Sequence, residues 1–521
     1  MPRLIAALAS ALVLSALATL AAAPAGAQMT EKIPQAIPAV PYEGVQHLRY
    51  RFGPVKIIPG ANSIELQAAD SMKPKVPGYI TRFTPNLERA DGTVPPVDEL
   101  HLHHAVWLMR GYPTFAAGEE KTIFQFPKGY GYRYDPSDPW FLNHMIHNLL
   151  PNEDSAYITY DIDFVPLSSP AAASMQEAKP LWLDVAGLKT YPVFDVKRQW
   201  GGKDGKYTFP DDVRTPEERA KVGAWSQFKA DRPMTLIGTA GHLHPGGLYS
   251  SMFVRRGAAR REVFRSEAKY WEPAGAVSWD VAMTATKPDW RVQLQPGDTV
   301  SVSATYDTRR SSWYESMGIM MTWYAEGSGH GGVDPITGPV ESRGAITHGH
   351  LPENDNHGGK AGGLPDARRL LSGTRTATVP IKDFVYARGD LSSSGAAARP
   401  PVVRPGQAIT FRNDDSDAQP IYHTITACKA PCNRTTGIAY PLANGPVDFD
   451  SGELGFGPNG LTAAAQRDTW TTPKSLKAGT YTYFCRIHPF MRGAFRVEGR
   501  KRSSKARKRS AKASRARSAA R

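Results

Sequence analysis

Near the C-terminal end, the segment YTYFCRIHPFMRG sets Cys485, His488 and Met491 at intervals of three, directly after a strand-like run. A thiolate, an imidazole and a thioether delivered by one tight loop are the soft and borderline donors of a blue (type 1) copper centre, with the thioether as the weak axial partner. A second imidazole must come from elsewhere. His423 supplies it, in YHTITA, just after the polar turn NDDSDAQP. The competing reading is a buried free thiol beside an unrelated histidine and a core methionine. The other two cysteines, Cys428 and Cys432 in ACKAPCN, are close enough to close a small loop as a disulfide, which leaves Cys485 over for another role.

A second set of histidines lies far upstream. Eight of the 14 histidines precede residue 250, and most sit in three motifs. HLHHAVWLMRG carries His101 and the adjacent pair His103 and His104; FLNHMIHNL carries His144 and His147; GTAGHLHPGG carries His242 and His244. Residues i and i+2 of a strand share a face, so His242 and His244 can close on one ion. Imidazole pairs suit copper or zinc. A lone histidine is more often structural, but an H-x-H pair beside glycines together with a separate H-H pair is hard to explain that way. His144 and His147, three apart, cannot both face one way along an ideal strand, which leaves the metal-facing one open. His330, His348, His350 and His357 fall in a Gly-rich stretch, where they read as solvated polar residues, as copper-capturing groups, or as part of a loop folding back onto a site.

The elements that must position these groups read as strands. Gly and Pro are abundant, at 47 and 43, and short Val/Ile/Tyr/Phe runs recur between turn residues. The expectation is an all-β chain. Residues 1–27 read as an export signal, with Arg3, the apolar run Leu4 to Leu20 and the small-residue site Ala25-Gly26-Ala27. Residues 33–165 and 166–326 read as two β-sandwiches, 327–376 as a Gly/His-rich linker, 377–499 as a smaller sandwich and 500–521 as a basic tail. The net charge of +14 is concentrated in that tail, where Arg500 to Arg521 hold 11 Lys or Arg and no acid, leaving the rest of the chain at +3. The charge therefore gives no reason to expect nucleic acid. Outside the cytoplasm the partners of such a tail would be anionic cell-surface polymer, lipid headgroups or an acidic protein; equally, it could serve solubility alone.

Three family resemblances follow from these residues. CRIHPFM, with KDFVY, VRPGQAITFRNDD and HTIT upstream, resembles amicyanin and the plastocyanin-type cupredoxins over residues 375 to 499. This implies a Greek-key sandwich, a type 1 copper held by His423, Cys485, His488 and Met491, and one-electron transfer. Departures are an inserted stretch near Leu391 to Arg399 and the excursion from ACKAPCN to GPNG. The upstream motifs resemble the copper type II, ascorbate-dependent monooxygenases, the family of peptidylglycine alpha-hydroxylating monooxygenase, over about residues 90 to 326. That resemblance implies two jelly-roll-like sandwiches and one or two further coppers. One copper would be on His103, His104 and His147, and a catalytic, oxygen-activating one on His242, His244 and Met317, the methionine lying in ESMGIMMTWYAE. GHLHPGG and the DFVP strand also look like the stress-up-regulated nodulin family, which implies no settled reaction. This half has no cysteine, whereas the monooxygenases are rich in disulfides.

Three functions compete. One is an exported oxidoreductase in which the blue centre feeds a two-copper monooxygenase-like region, with a redox protein or a small reductant supplying electrons. Another is a non-enzymatic electron-transfer or copper storage and delivery protein. Hydrolytic zinc chemistry at His242 and His244 is weaker, because methionine is an odd zinc ligand and no Ser/His/Asp or H-E-x-x-H arrangement accompanies it.

Overall fold

The structure, a computed structural model, describes residues 37–59, 64–97, 99–150, 152–187, 192–198, 200–271, 276, 279–309, 313–348, 362–417, 421–433, 448–456, 467–488 and 490–499. The export-signal residues, the basic tail, His350 and His357 lie outside them. Strands in alternating pattern dominate, and the only α-helix among the described residues is the single turn Pro216–Arg219. The chain is all-β. No helix of the described residues is long and apolar enough to cross a membrane.

Period-two patterning builds the first sandwich. In Asp154–Pro166, Ile158, Tyr160, Ile162 and Phe164 point inward between more polar neighbours, which makes this strand the centre of a six-stranded sheet between Gln46–Ile57 and Gly78–Glu88. The facing sheet runs Glu65–Ala68, Trp140–Asn148, Leu100–Met109, Tyr112–Ala117. Between them Phe83 stacks on Phe115 with ring centroids 4.4 Å apart, and Trp107 meets Tyr160 edge-on.

The second sheet has eleven strands, with Ile319–Glu326 and Met234–His242 paired toward one end, next to the terminal strand Lys179–Asp184, so that His242 lies opposite Ile319. One face of Ile319–Glu326 does not pack within its own sheet. Met321 and Trp323 join the first sandwich's core, and Trp323 stacks on Phe124 at 3.7 Å. The two sheets systems therefore share apolar contacts along this strand. Residues 327–348, assigned to a linker by composition, run along this sheet: Ala345–Ile346 pairs with Val281–Ala285, Arg256 bridges Asp298 and Asp334, and Tyr130 meets His330 at 2.9 Å.

The third sandwich packs a four-stranded sheet (Val385–Tyr386, Thr378–Lys382, Thr410–Asn413, Thr469–Thr471) against a five-stranded one (Val402–Val403, Arg492–Val497, Gly479–Phe484, His423–Cys428, Asp450–Leu454). Tyr386, Phe411, Tyr483 and Phe495 fill its core. Cys428 and Cys432 are joined as a disulfide. The inserted stretch near Leu391 forms a turn of 3-10 helix, Gly395–Ala397, and reaches the ligand loop: the Arg492 amide donates to Ser392 Oγ at 3.0 Å.

Candidate metal centres

Strand Gly479–Phe484 ends one residue before Cys485, and the loop behind it closes on itself. The Met491 amide donates to the His488 carbonyl (2.9 Å) and the Cys485 amide to the Met491 carbonyl (3.3 Å), so three donor-bearing residues are turned together by local hydrogen bonds. His423 opens the neighbouring strand, His423–Cys428. The result is a triangle: His423 Nδ1 to His488 Nδ1 3.2 Å, His488 Nδ1 to Cys485 Sγ 3.6 Å, and Cys485 Sγ to His423 Nδ1 3.8 Å. With metal–nitrogen bonds of ~2.0 Å and metal–sulfur bonds of ~2.3 Å, a near-trigonal site has edges of about 3.2–3.8 Å. The donors fit a His₂Cys copper. Among the described residues this is the one group of three His, Cys or acidic donors whose ligand atoms lie within 4.8 Å of one another. Met491, fully buried, shares the Cys485 core cluster.

The surroundings favour the charge states that copper requires. Burial alone would raise the Cys485 thiol, but His423 and the amides of Thr424 (3.3 Å) and His488 (3.4 Å) outweigh it and bring the thiol below its ordinary value. His423 donates from Nε2 to Asp415 Oδ2 at 2.8 Å, which fixes the tautomer that turns Nδ1 toward the thiolate. Asp415 is itself held by the Phe384 amide at 3.0 Å, and the Phe384 ring stands edge-on to both His423 and His488. Asp415 and Phe384 had no signal beyond an acid-rich turn and KDFVY; their contacts with His423 cross the fold.

His488 differs from His423. Its Nε2 is buried and has no protein partner. Burial, with added repulsion from His423 and then His147, holds this imidazole neutral, well below its ordinary range. His147 belongs to the first sandwich, so His488 lies within electrostatic reach of the upstream histidines. The third sandwich also meets the second sheet's chain where Arg486 stacks on Trp313 at 5.1 Å and Glu453 is hydrogen-bonded to Glu315.

The upstream histidines come from facing strands. His101 pairs with His147 across the sheet, and a bulge between Leu102 and His104 inserts His103. The bulge lets His103 and His104 turn their Nδ1 atoms to within 3.3 Å of each other. His103 touches His147 and His244, each at 4.5 Å between ring centroids, while Trp279 stacks on His101 at 4.6 Å and meets His244 at 4.8 Å. Strand periodicity sends His144 the other way, edge-on to Phe52. Burial holds these imidazoles neutral: His147 and His104 fall to about 3 and His144 to about 4.

Hydrogen bonds then sort the ring nitrogens. His101 donates from Nδ1 to the Val97 carbonyl at 3.3 Å, so its Nε2 accepts from His147 Nδ1 at 3.1 Å. His242 donates from Nδ1 to Glu120 Oε2 at 3.1 Å, and His244 from Nδ1 to the Glu315 carbonyl. That leaves the Nε2 atoms of His147, His242 and His244 buried without protein partners. An outer acceptor on one nitrogen and a bare lone pair on the other is the arrangement of a metal-ligating histidine. His104 gives its Nε2–H to Asn143 at 2.7 Å. Met317 sits near His244 because one hydroxyl, Tyr306 Oη, accepts from both backbone amides (3.0 and 3.3 Å) and donates to the Met317 carbonyl at 2.7 Å. His104, His242 and Met317 line a common cavity. Glu120, Glu315, Trp279 and Tyr306 were not legible as site residues, since only the folded chain brings them to the histidines.

No family model matches the sequence, and no curated protein matches it. Solved structures similar to part of the chain include a reduced copper(I) form of an amicyanin variant, with 19% identity over 26% of this chain and 91% of the other, at a TM-score of 0.14. A purple cupredoxin from Nitrosopumilus maritimus matches with 19% identity over 24% of this chain and all of the other, at 0.15. A reduced state of a further amicyanin variant shows 22% identity over 26% of this chain and 94% of the other, at 0.13.

Proposed function

We propose that the chain is an exported copper redox protein in which a cupredoxin-type blue centre, on His423, Cys485, His488 and Met491, passes single electrons to copper held by the upstream histidines, which act as a monooxygenase-like region. One observation carries the reading: the Nε2 of His488 is buried and lacks a protein partner, and His488 is close enough to His147 for the two imidazoles to repel each other's charge. A blue centre serving a diffusing partner would expose that edge; here it is buried, within electrostatic reach of another candidate ligand of the same chain. Bound copper would cycle between its two lower oxidation states and activate oxygen. The residues' own tasks are to orient and insulate: Asp415 fixes His423, His101 fixes His147, Glu120 fixes His242, and Tyr306 holds His244 beside Met317. Fusion removes the wait for a diffusing donor. A redox protein or small reductant would reload the blue centre, and the basic tail would hold the chain to anionic cell-surface polymer or lipid.

The test is to reduce the copper-loaded protein, add oxygen with a C–H substrate, and follow the return of the blue absorption. His147→Ala should slow that return at least tenfold while the blue spectrum stays unchanged. Equal rates in both proteins would refute the route.

A specific observation favours the second reading, electron transfer or copper handling without turnover. As placed, no three upstream imidazoles bring nitrogens within 4.8 Å of one another among the described residues. Under that reading oxygen uptake would not exceed slow autoxidation with any reductant.

A further inference from the structure

The strands that carry the upstream histidines also wall a cavity of about 470 Å³ between the first sandwich and the eleven-stranded sheet. Its size falls within the ~300–1,000 Å³ of small-molecule sites. Phe115, Phe124, Trp182, Met321 and Trp323 make most of its wall apolar, and Leu66, 61% exposed on an edge strand, marks where it meets solvent. Among the described residues the charged side chains on the lining are two acids, Glu120 and Asp184, with no lysine or arginine. An anion would enter against those carboxylates with no cation to receive it.

The polar groups of the wall specify more than size. Trp182, Trp323 and Thr122 belong to the lining, and the Nε1 atoms of the two indoles and the Oγ1 of the threonine are buried with no protein partner. The two indoles can only donate. Buried donors are costly to leave unmade, and an apolar occupant without an acceptor would leave them so. We infer that this cavity binds an uncharged, mainly apolar small molecule that carries a hydrogen-bond-accepting oxygen, such as an aryl ketone or ether, beside His242 and Met317. The inference deepens the monooxygenase-like reading by naming the substrate class of that site, but its test reads binding, so either can fail alone.

Acetophenone, ethylbenzene and benzoate serve as probes, titrated into the full chain and followed by calorimetry and tryptophan fluorescence. Acetophenone should bind, ethylbenzene about 5–10-fold more weakly for want of an oxygen, and benzoate not at all. Trp323→Phe keeps a ring in the wall and removes one donor, so it should narrow the gap between the first two probes. Ala116→Phe, which fills the cavity, should abolish binding of both. Benzoate binding as tightly as acetophenone, acetophenone binding unaffected by Ala116→Phe, or no acetophenone binding at millimolar concentration would each overturn the inference. Acetophenone binding without oxygen uptake would support it while sinking the oxygenase reading.

Discussion

Gly118→Ala should cost the protein its copper at His242 while leaving the blue centre intact. Gly118 follows the end of strand Tyr112–Ala117, and its amide donates to Glu120 Oε1 at 2.7 Å. A methyl group built there would stand 2.5 Å from His242 Cε1, 2.7 Å from Glu120 Oε2 and 2.9 Å from His242 Nδ1. Non-bonded carbons rest at about 3.5–4.0 Å, so the ring must retreat by about 1 Å. It cannot do so without stretching the 3.1 Å bond from Nδ1 to Glu120 that aims Nε2. Loss of such an outer contact lowers metal affinity about 10–100-fold, and the overpacking itself costs about 1–3 kcal/mol. The assay is a competitive copper titration against a chelator, with the visible absorption of the blue centre as internal control. Glu120→Gln keeps the space and removes the charge, so it should weaken the same site without the steric cost. Copper affinity and stoichiometry unchanged in Gly118→Ala would refute the reasoning.

The remaining expectations are local. Cys485→Ser should abolish the intense visible absorption of the oxidised protein while the fold survives; an unaltered spectrum would remove the thiolate from the centre. Burial, reinforced by the negative charges of Glu315 and Asp195, raises the Glu453 carboxyl well above its ordinary value, so the folded chain keeps a proton that the unfolded chain releases. The stability tied to that proton is complete below the unfolded value of about 4.3 and is lost as pH rises above it toward the folded value. Glu453→Gln should therefore melt higher than the parent protein at pH 7, with the difference closing as pH falls toward about 4; a difference that widens on acidification contradicts this. Deleting Lys501 to Arg521 should leave copper content and melting unchanged and weaken salt-dependent retention on anionic surfaces, whereas a large loss of stability would show the tail to be docked.

The cluster of His423, Cys485 and His488 was legible because its logic is local: one loop of seven residues carries Cys485, His488 and Met491, and His423 opens a strand directly after a recognisable turn. The all-β architecture was legible for a similar reason, since period-two alternation such as that of Asp154–Pro166 is written in consecutive residues. The upstream site was legible as a set of histidines but not as a geometry. Which nitrogens face one another depends on a cross-strand register, His101 against His147, and on one bulge at His103, neither of which leaves a mark in spacing alone. The same periodicity that left His144 and His147 undecided in the sequence separates them once the register is known, with His144 against Phe52. Glu120, Glu315 and Trp279 were invisible because they act only through partners from distant strands. The Gly/His-rich stretch looked like a linker because its composition lacks apolar periodicity, yet a two-residue strand and the Arg256–Asp334 ion pair are enough to lay residues 327–348 along a sheet.

The most direct test is metal analysis of the purified full chain combined with optical and electron paramagnetic resonance spectra. We expect one type 1 copper with strong visible absorption together with type 2 signal, at about two to three coppers per chain, the type 2 part alone falling in His242→Ala. A single type 1 signal with nothing at the upstream histidines, or zinc in their place, would contradict it.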